Sequence, residues 1–240
     1  MMNTQPRLVE VRQKVLKQND VVARALRQRF REESTFVISL VSSPGTGKTA
    51  FLEKLLLLTR DKYRTAALVG DLATENDAER LRRSQVPVKQ INTGTVCHLE
   101  AEMVRNALDG WAPPGLEVLF IENVGNLVCP SSYDLGEDLR LVLMSVTEGE
   151  DKPLKYPTIF NTADVAVITK MDLAAAVEFD AAAAERSIQT VRPGMRIFAV
   201  SAKSGEGMSH FMEFLQTEIA EPPVGTVPPP QVEAVNAGPA

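Results

Sequence analysis

The segment VSSPGTGKTA, residues 41–50, decides the fold that this chain of 240 residues is expected to adopt. It matches the phosphate-loop pattern G-x-x-x-x-G-K-[S/T] except at its first position, where Ser42 replaces glycine. In such a loop the backbone N–H groups surround phosphates, the lysine reaches their β and γ oxygens, and the final hydroxyl binds Mg²⁺. The residues that we predict to bind nucleotide phosphates are Gly45, Thr46, Gly47, Lys48, Thr49 and Ala50.

Apolar runs rich in β-branched residues alternate with helical patterns on both sides of this loop. Strands are predicted at 34–41, 64–70, 86–92, 116–123, 139–146, 163–170 and 195–202. Helices are predicted at 7–31, 48–60, 76–83, 98–108, 177–190 and 207–219. This alternation indicates an α/β fold in which a mostly parallel sheet is flanked by helices, the architecture of a P-loop NTPase.

The composition argues against several classes of protein. The net charge of −5 disfavours nucleic acid as the main partner, because binding phosphate backbones needs a basic surface. No apolar run reaches the roughly 20 residues that cross a bilayer, so no membrane association is expected. The first residues, MMNTQPRLVEVRQK, lack the apolar segment of a secretory signal, which predicts a cytoplasmic protein. Its two cysteines are therefore not expected to form a structural disulfide.

Two later segments indicate which base is bound. ITKMDL at 168–173 follows a predicted strand and matches the pattern [N/T]-K-x-D of GTPases, with threonine where asparagine is commoner. A carboxylate at Asp172 accepts hydrogen bonds from guanine N1–H and the 2-amino group, a donor pair that adenine lacks. VSAKSGEG at 200–207 resembles the next guanine-contact loop, and the order of these motifs favours GTP over ATP. The predicted base contacts are Lys170, Asp172, Ser201, Ala202 and Lys203.

Acidic residues at two predicted strand ends are candidates for magnesium binding and catalysis. Glu122, with Gly125 three residues later, resembles a D-x-x-G switch in which Glu replaces Asp. Such a carboxylate holds Mg²⁺ through water, and Gly125 would donate its N–H to the γ-phosphate. Asp71 either orients the attacking water or binds Mg²⁺, and a solvated strand end is the alternative for each carboxylate. We predict Lys48, Asp71 and Glu122 as catalytic, and Thr49, Asp71 and Glu122 as Mg²⁺ ligands.

The chain holds only two cysteines and two histidines, yet Cys97 and His98 are adjacent in NTGTVCHLEAEM, residues 92–103. The second cysteine, Cys129, follows Gly125 by four residues. Thiolate and imidazole suit Ni²⁺, Zn²⁺ or copper ions. Three ligands leave a four-coordinate site incomplete, and a two-fold dimer would complete it by sharing thiolates. Burial of the cysteines as small hydrophobic residues is the alternative, since no C-x-x-C spacing supports a metal site.

Over residues 7–219 the chain resembles the HypB family of hydrogenase maturation GTPases, which belong to the SIMIBI class of P-loop GTPases. The matching segments are LVEVRQKVLKQND, SSPGTGKT, GDLATENDAERL, QINTGTVCHLEAEMV, IENVGNLVCP, EGEDKPLKYP and TKMDL. The resemblance implies a GTP-hydrolysing metallochaperone that assists nickel insertion into [NiFe]-hydrogenase. It implies that Cys97, His98 and Cys129 bind nickel or zinc, in a homodimer promoted by GTP and metal. The implied partners are a hydrogenase maturation accessory protein and the hydrogenase large subunit.

The same resemblance places Lys155 at the nucleotide of a partner subunit, with a solvated lysine as the alternative. Some relatives store nickel in N-terminal Cys or His clusters, and the segment before residue 34 contains neither residue, so we do not expect nickel storage. The predicted organisation is an N-terminal helical segment at 1–33, a GTPase domain at 34–220 and a flexible Pro-rich tail at 221–240. The alternatives are a GTPase that delivers nickel to urease, a regulatory GTPase that binds no metal, and a small-molecule kinase.

Overall fold

The computed structural model describes residues 5–71 and 76–221, so the predicted tail lies outside the described residues apart from Glu221. The strands are β1 Phe36–Ser42, β2 Thr65–Asp71, β3 Val88–Asn92, β4 Val118–Glu122, β5 Leu139–Ser145, β6 Val165–Thr169 and β7 Arg196–Ala199. The helices are α1 Gln5–Glu32, α2 Lys48–Thr59, α3 Asn76–Arg82, α4 Ala101–Leu108, α5 Lys152–Lys155, α6 Pro157–Thr162, α7 Ala181–Val191 and α8 Met208–Ala220.

The seven strands form one sheet in the order β3-β2-β4-β1-β5-β6-β7, and each neighbouring pair is parallel. The predicted α/β class is therefore confirmed. All residues of β1, β4 and β5 are buried, which explains their unbroken apolar sequences, since helices cover both faces of the sheet. Because the strands are parallel, their carboxyl ends lie at one edge, where Ser42, Asp71, Glu122 and Thr169 end their strands.

The core lies on both faces of this sheet. On one face Phe51 and Leu55 of α2 pack with Phe211 of α8. On the other face α1 packs through Ala23, Leu26 and Phe30, which are almost fully buried, against α4 and the sheet. A third cluster lies under α6 and α7. The N-terminal helix is thus part of the same hydrophobic core as the strands that it precedes.

Several element ends differ from the sequence prediction for local reasons. Helix α7 begins at Ala181 rather than 177, because the side chain of Asp180 accepts a hydrogen bond from Ala183 N and caps the helix. Helix α4 begins at Ala101 rather than 98, which leaves the Cys-His pair in a loop before the helix. The short helices α5 and α6 were not predicted. Among the described residues, no helix has the length and apolar character needed to cross a membrane.

Candidate nucleotide and metal sites

The phosphate loop lies between β1 and α2 and has the backbone that its glycines permit. Gly45 and Gly47 adopt positive φ angles of 76° and 94°, where a side chain would be strained. Ser42, which replaces the first glycine of the pattern, is fully buried, and its Oγ donates to Ser43 O at 2.8 Å. Ser42 is therefore accommodated at the end of β1, and the loop keeps the two glycines, Gly45 and Gly47, that its backbone requires.

Lys48 and Thr49 both contact one carboxylate of β4. Lys48 Nζ lies 2.6 Å from Glu122 Oε1, and Thr49 Oγ1 donates to the same oxygen at 2.7 Å. Glu122 is 1% exposed, and its Oε2 has no hydrogen-bond partner in the described part of the chain. A hydroxyl beside a carboxylate with a free oxygen is the oxygen donor set that suits Mg²⁺, so these residues fit the ion. Asp71 ends the neighbouring strand, two residues beyond Val69, which is in register with Glu122.

The segment that follows Glu122 runs against the phosphate loop. A Cβ atom at Gly125 would lie 3.1 Å from Pro44 Cα and 3.1 Å from Pro44 N, closer than an ordinary packing contact. A side chain at this position would push the segment away from the loop. Gly125 therefore packs directly against the phosphate loop, and its contact with the γ-phosphate stays a prediction.

The predicted base-contact residues gather at the same edge of the sheet. Thr169 Oγ1 donates to Thr46 O at 2.6 Å, which gives the threonine of T-K-x-D the role of fastening this motif to the phosphate loop. Lys170 adopts a positive φ of 61° and its Nζ donates to Gly45 O at 2.6 Å. Ser201 Oγ donates to Asp172 Oδ1 at 2.7 Å, so the loop that contains Ala202 is held beside the carboxylate. Lys203 Nζ lies 4.0 Å from Asp172 Oδ2, and its side chain is 85% exposed.

Glu148, the first residue of the EGEDKPLKYP segment, joins this site although sequence analysis gave it no role. Its Oε2 accepts hydrogen bonds from Thr46 Oγ1 at 2.9 Å and Ser145 N at 2.7 Å, and its Oε1 accepts one from Lys152 Nζ at 2.7 Å. Burial raises the pKa of Glu148, but these hydrogen bonds outweigh burial and hold the pKa below its usual value. Glu148 thus links the phosphate loop to α5, where Lys155 is 61% exposed and lies 2.7 Å from Asp151 Oδ2.

The Cys-His pair lies in the loop that follows β3, and the second cysteine lies in the segment that follows β4. The ligand atoms of Cys97, His98 and Cys129 all lie within 4.8 Å of one another, and the two sulfur atoms are 3.1 Å apart. His98 is 9% exposed, and neither of its ring nitrogens forms a hydrogen bond within residues 5–71 and 76–221, although Nε2 lies 3.5 Å from Glu100 Oε1. A buried imidazole without a hydrogen bond is uncommon, and metal ligation would satisfy a ring nitrogen.

The protonation states follow from this environment. Burial lowers the pKa of His98, although Glu100 Oε1, 3.5 Å from His98 Nε2, acts in the opposite direction. The hydrogen bond with Cys129, followed by burial, raises the pKa of the Cys97 thiol. The imidazole is therefore favoured in the neutral form that a metal requires, whereas metal binding would release a proton from the thiol.

Two asparagines that were not predicted connect the candidate metal ligands to the segment that follows Glu122. Asn123 Oδ1 accepts hydrogen bonds from Leu99 N and Val124 N, both at 2.9 Å. Asn126 Nδ2 donates to Cys97 O at 3.3 Å. Both belong to ENVGN, a segment in which sequence analysis assigned roles only to Glu122 and Gly125. The loop of Cys97 and His98 is thus hydrogen-bonded to the segment that leads from Glu122 to Cys129.

The comparisons with known proteins identify the family of the chain. Residues 36–199 match the model of the CobW/HypB/UreG nucleotide-binding domain. Hydrogenase maturation factor HypB of Azotobacter chroococcum is 44% identical over 215 residues, which cover 90% of this chain and 70% of that protein. The chain belongs to the HypB family. HypB of Escherichia coli K12 is 43% identical over 90% of this chain and 74% of its own length. The hydrogenase/urease maturation factor HypB of Helicobacter pylori is 42% identical over 86% of each chain.

Solved structures of HypB proteins share the fold. The crystal structure of Helicobacter pylori HypB in complex with nickel has a TM-score of 0.81 and 40% identity, over 88% of this chain and all of that one. HypB of Archaeoglobus fulgidus has a TM-score of 0.79 and 35% identity, over 85% and 99% of the two chains. A signal recognition particle protein of Aeropyrum pernix has a TM-score of 0.54 at 17% identity, which shows a common fold alone. The predicted family and fold class are confirmed.

Proposed function

We propose that this HypB protein is a GTP-hydrolysing metallochaperone that binds nickel or zinc and assists nickel insertion into [NiFe]-hydrogenase. One observation carries the proposal. The segment 122–129 begins at the carboxylate that contacts Lys48 and Thr49 and ends at Cys129, whose sulfur lies 3.1 Å from that of Cys97. The nucleotide site and the metal site thus share one short stretch of chain. A relative with nickel bound supports the choice of metal.

The nucleotide half of the mechanism rests on positioning and electrostatics. The N–H groups of the phosphate loop surround the phosphates, and Lys48 exchanges its contact with Glu122 for the phosphate oxygens. Thr49 and Glu122 would hold Mg²⁺, which would supply positive charge to neutralise the phosphates. Asp172, held by Ser201, accepts the hydrogen bonds of guanine. Asp71 remains the candidate for orienting the attacking water or for binding Mg²⁺.

The metal half follows from the contacts of Asn123, Asn126 and Gly125. When the γ-phosphate leaves, the backbone at Gly125 loses its partner and the segment 122–129 relaxes. Asn123 and Asn126 hydrogen-bond to the Cys97 loop, so relaxation of this segment strains or breaks these bonds and changes the spacing of the three ligands. The mechanism requires nickel to bind more tightly in one nucleotide state, since a ligand shifts an equilibrium only by its differential affinity.

Three protein ligands leave room for completion of the metal site by a second copy. We propose a homodimer promoted by GTP and metal, in which equivalent loops meet across a two-fold axis. The exposed Lys155 is available to reach the nucleotide of the partner subunit. A hydrogenase maturation accessory protein and the hydrogenase large subunit are the proposed recipients of nickel.

The proposal is tested by measuring GTP turnover and Ni²⁺ binding with the same protein. Lys48→Ala should abolish hydrolysis, because the lysine reaches the reacting phosphates, whereas Lys62→Ala, an exposed lysine beyond α2, should not. Equilibrium dialysis with Ni²⁺ and Zn²⁺, with and without GTP, measures the metal site. Turnover by Lys48→Ala at the parent rate contradicts the role of the loop. Absence of metal binding favours a regulatory GTPase that binds no metal.

Delivery of nickel to urease is a second candidate, since the 42% identical Helicobacter pylori relative is named a hydrogenase/urease maturation factor. The two candidates share the nucleotide and metal sites and differ only in the recipient. Adding the nickel-loaded protein and GTP to apo-hydrogenase and to apo-urease separates them. Activation of urease alone would contradict the first proposal.

A further inference from the structure

The middle of α1 contacts both chain segments that carry the metal ligands. Asn19, which is 7% exposed, accepts a hydrogen bond from Ala101 N at its Oδ1, 2.9 Å away. Its Nδ2 donates to Asp134 O at 2.8 Å. Ala101 follows His98 by three residues, and Asp134 follows Cys129 by five. A single side-chain amide therefore bridges the two ligand-bearing segments.

The contact with Ala101 fixes the start of α4. The first N–H groups of a helix have no partner within the helix and need one from elsewhere. In the described chain, Glu100 precedes α4 without forming a side-chain cap, and the Asn19 side chain supplies an acceptor instead. Ala101 is fully buried, so water does not replace this acceptor. The orientation of the three residues from His98 to Glu100 thus depends on the position of α1.

The contact with Asp134 fixes the segment after the second cysteine. Tyr133 stacks on the imidazole of His98, with ring centroids 4.0 Å apart. Asp134, the next residue, also accepts a hydrogen bond from Arg27 of α1 at 2.7 Å. Gly136 approaches α1 so closely that a Cβ atom there would lie 2.9 Å from Ala23 O. The segment 133–136 is therefore held against α1, and the ring of its first residue, Tyr133, contacts the imidazole of His98.

We propose that Asn19 is a positioning residue of the metal site, which holds the loops of His98 and Cys129 in the arrangement that binds the ion. The inference rests on the proposed metal-binding function and adds α1 to it. Asn19 does not bind the metal; it acts through Ala101 and Asp134. Loss of its amide leaves a buried N–H and a C=O without partners and frees the two loops to separate. Loss of residues that orient metal ligands typically weakens binding about 10- to 100-fold.

The test uses the full chain with the variants Asn19→Ala and Asn19→Asp. Asn19→Asp keeps an acceptor for Ala101 N but faces Asp134 O with an oxygen instead of a donor. The matched control is Arg29→Ala, which removes the ion pair of Arg29 with Asp109 at the other end of α4. Ni²⁺ affinity is measured by competition with a chelator, and the thiolate-to-nickel charge-transfer absorption reports the geometry of the ligands. Unfolding by denaturant and GTP turnover are measured alongside.

Asn19→Ala is expected to bind Ni²⁺ at least about tenfold more weakly than the parent and to show an altered charge-transfer spectrum. Arg29→Ala should match the parent in Ni²⁺ affinity, in spectrum and in basal GTP turnover. If Asn19→Ala does not fold, Asn19→Asp decides. The inference is overturned, and the proposed function is not, if a folded Asn19 variant keeps the Ni²⁺ affinity and spectrum of the parent. The same holds if Arg29→Ala loses as much Ni²⁺ affinity as the Asn19 variants. A parent protein that binds neither Ni²⁺ nor Zn²⁺ overturns the proposed function as well.

Discussion

Replacing Glu122 with glutamine tests the buried ion pair at the phosphate loop. Glu122 is 1% exposed, and the Lys48 side chain 2.6 Å from it is 10% exposed. Glutamine keeps the size of the side chain but removes the countercharge of a buried lysine. Breaking a buried ion pair from one side lowers the free energy of unfolding by about 3–5 kcal/mol. For a chain of this length this corresponds to a fall in Tm of roughly 6–20 °C.

A bound nucleotide should reduce this loss, because its phosphates supply the negative charge that Lys48 then lacks. The assay is thermal unfolding of the parent and the variant, without nucleotide and with a saturating non-hydrolysable GTP analogue. Glu117→Gln is the matched control, since its pair with Arg64 is exposed at 3.4 Å and should contribute about 0–1 kcal/mol. Without nucleotide, a Tm for Glu122→Gln equal to that of the parent would refute the reasoning. Equal losses with and without the analogue would refute it too.

Three further predictions concern other parts of the chain. Asp172→Asn should weaken GTP binding at least about tenfold and improve binding of xanthosine triphosphate, because the amide donates to the 2-oxo group; competition binding measures both. Gly125→Ala should slow GTP turnover, since its Cβ would press on Pro44 at 3.1 Å, and an unchanged rate would contradict this. Arg140 and backbone N–H groups outweigh burial and lower the pKa of Glu137 to about 2. The contribution of Glu137 to the free energy of unfolding should therefore be lost as pH falls from about 4.5 to about 2. Denaturation at several pH values should show a flatter acid dependence in Glu137→Gln/Arg140→Met.

The sign of the last prediction follows from the direction of the pKa change. A carboxyl with a lowered folded-state pKa stabilises the fold above its unfolded pKa and loses that effect as it is protonated. Burial raises the pKa of the neighbours Asp134 and Asp138, which act in the opposite direction. Comparison with the double variant isolates the contribution of the pair. An identical acid dependence in parent and double variant would contradict the assignment to Glu137.

The fold could be read from the sequence because its decisive signals are local. The phosphate-loop glycines require positive φ angles within a few residues, and strands buried on both faces are unbroken apolar runs. Thr169 was noted only as a departure from the common asparagine. Its hydroxyl reaches Thr46 O, 123 residues away in the chain, and only the fold reveals that contact.

The candidate site was only partly predictable for the same reason. Cys97 and Cys129 are 32 residues apart in the chain. Their chemistry made them candidate metal ligands, but the sequence could not predict that their sulfur atoms lie 3.1 Å apart. Asn19 is 82 residues from Ala101 and 115 from Asp134, so sequence analysis assigned it no role. Glu148 resembles a surface acid in the sequence, and only the packing of its segment brings it to the phosphate loop. Roles that depend on distant partners need the tertiary structure.

The central claim is that the nucleotide controls the metal site through the segment 122–129. Its most direct test is the Ni²⁺ affinity of the parent protein, measured by chelator competition with a non-hydrolysable GTP analogue and again with GDP. We predict unequal affinities in the parent, and a difference that disappears in Cys129→Ser. Equal affinities in the two nucleotide states of the parent would contradict the account.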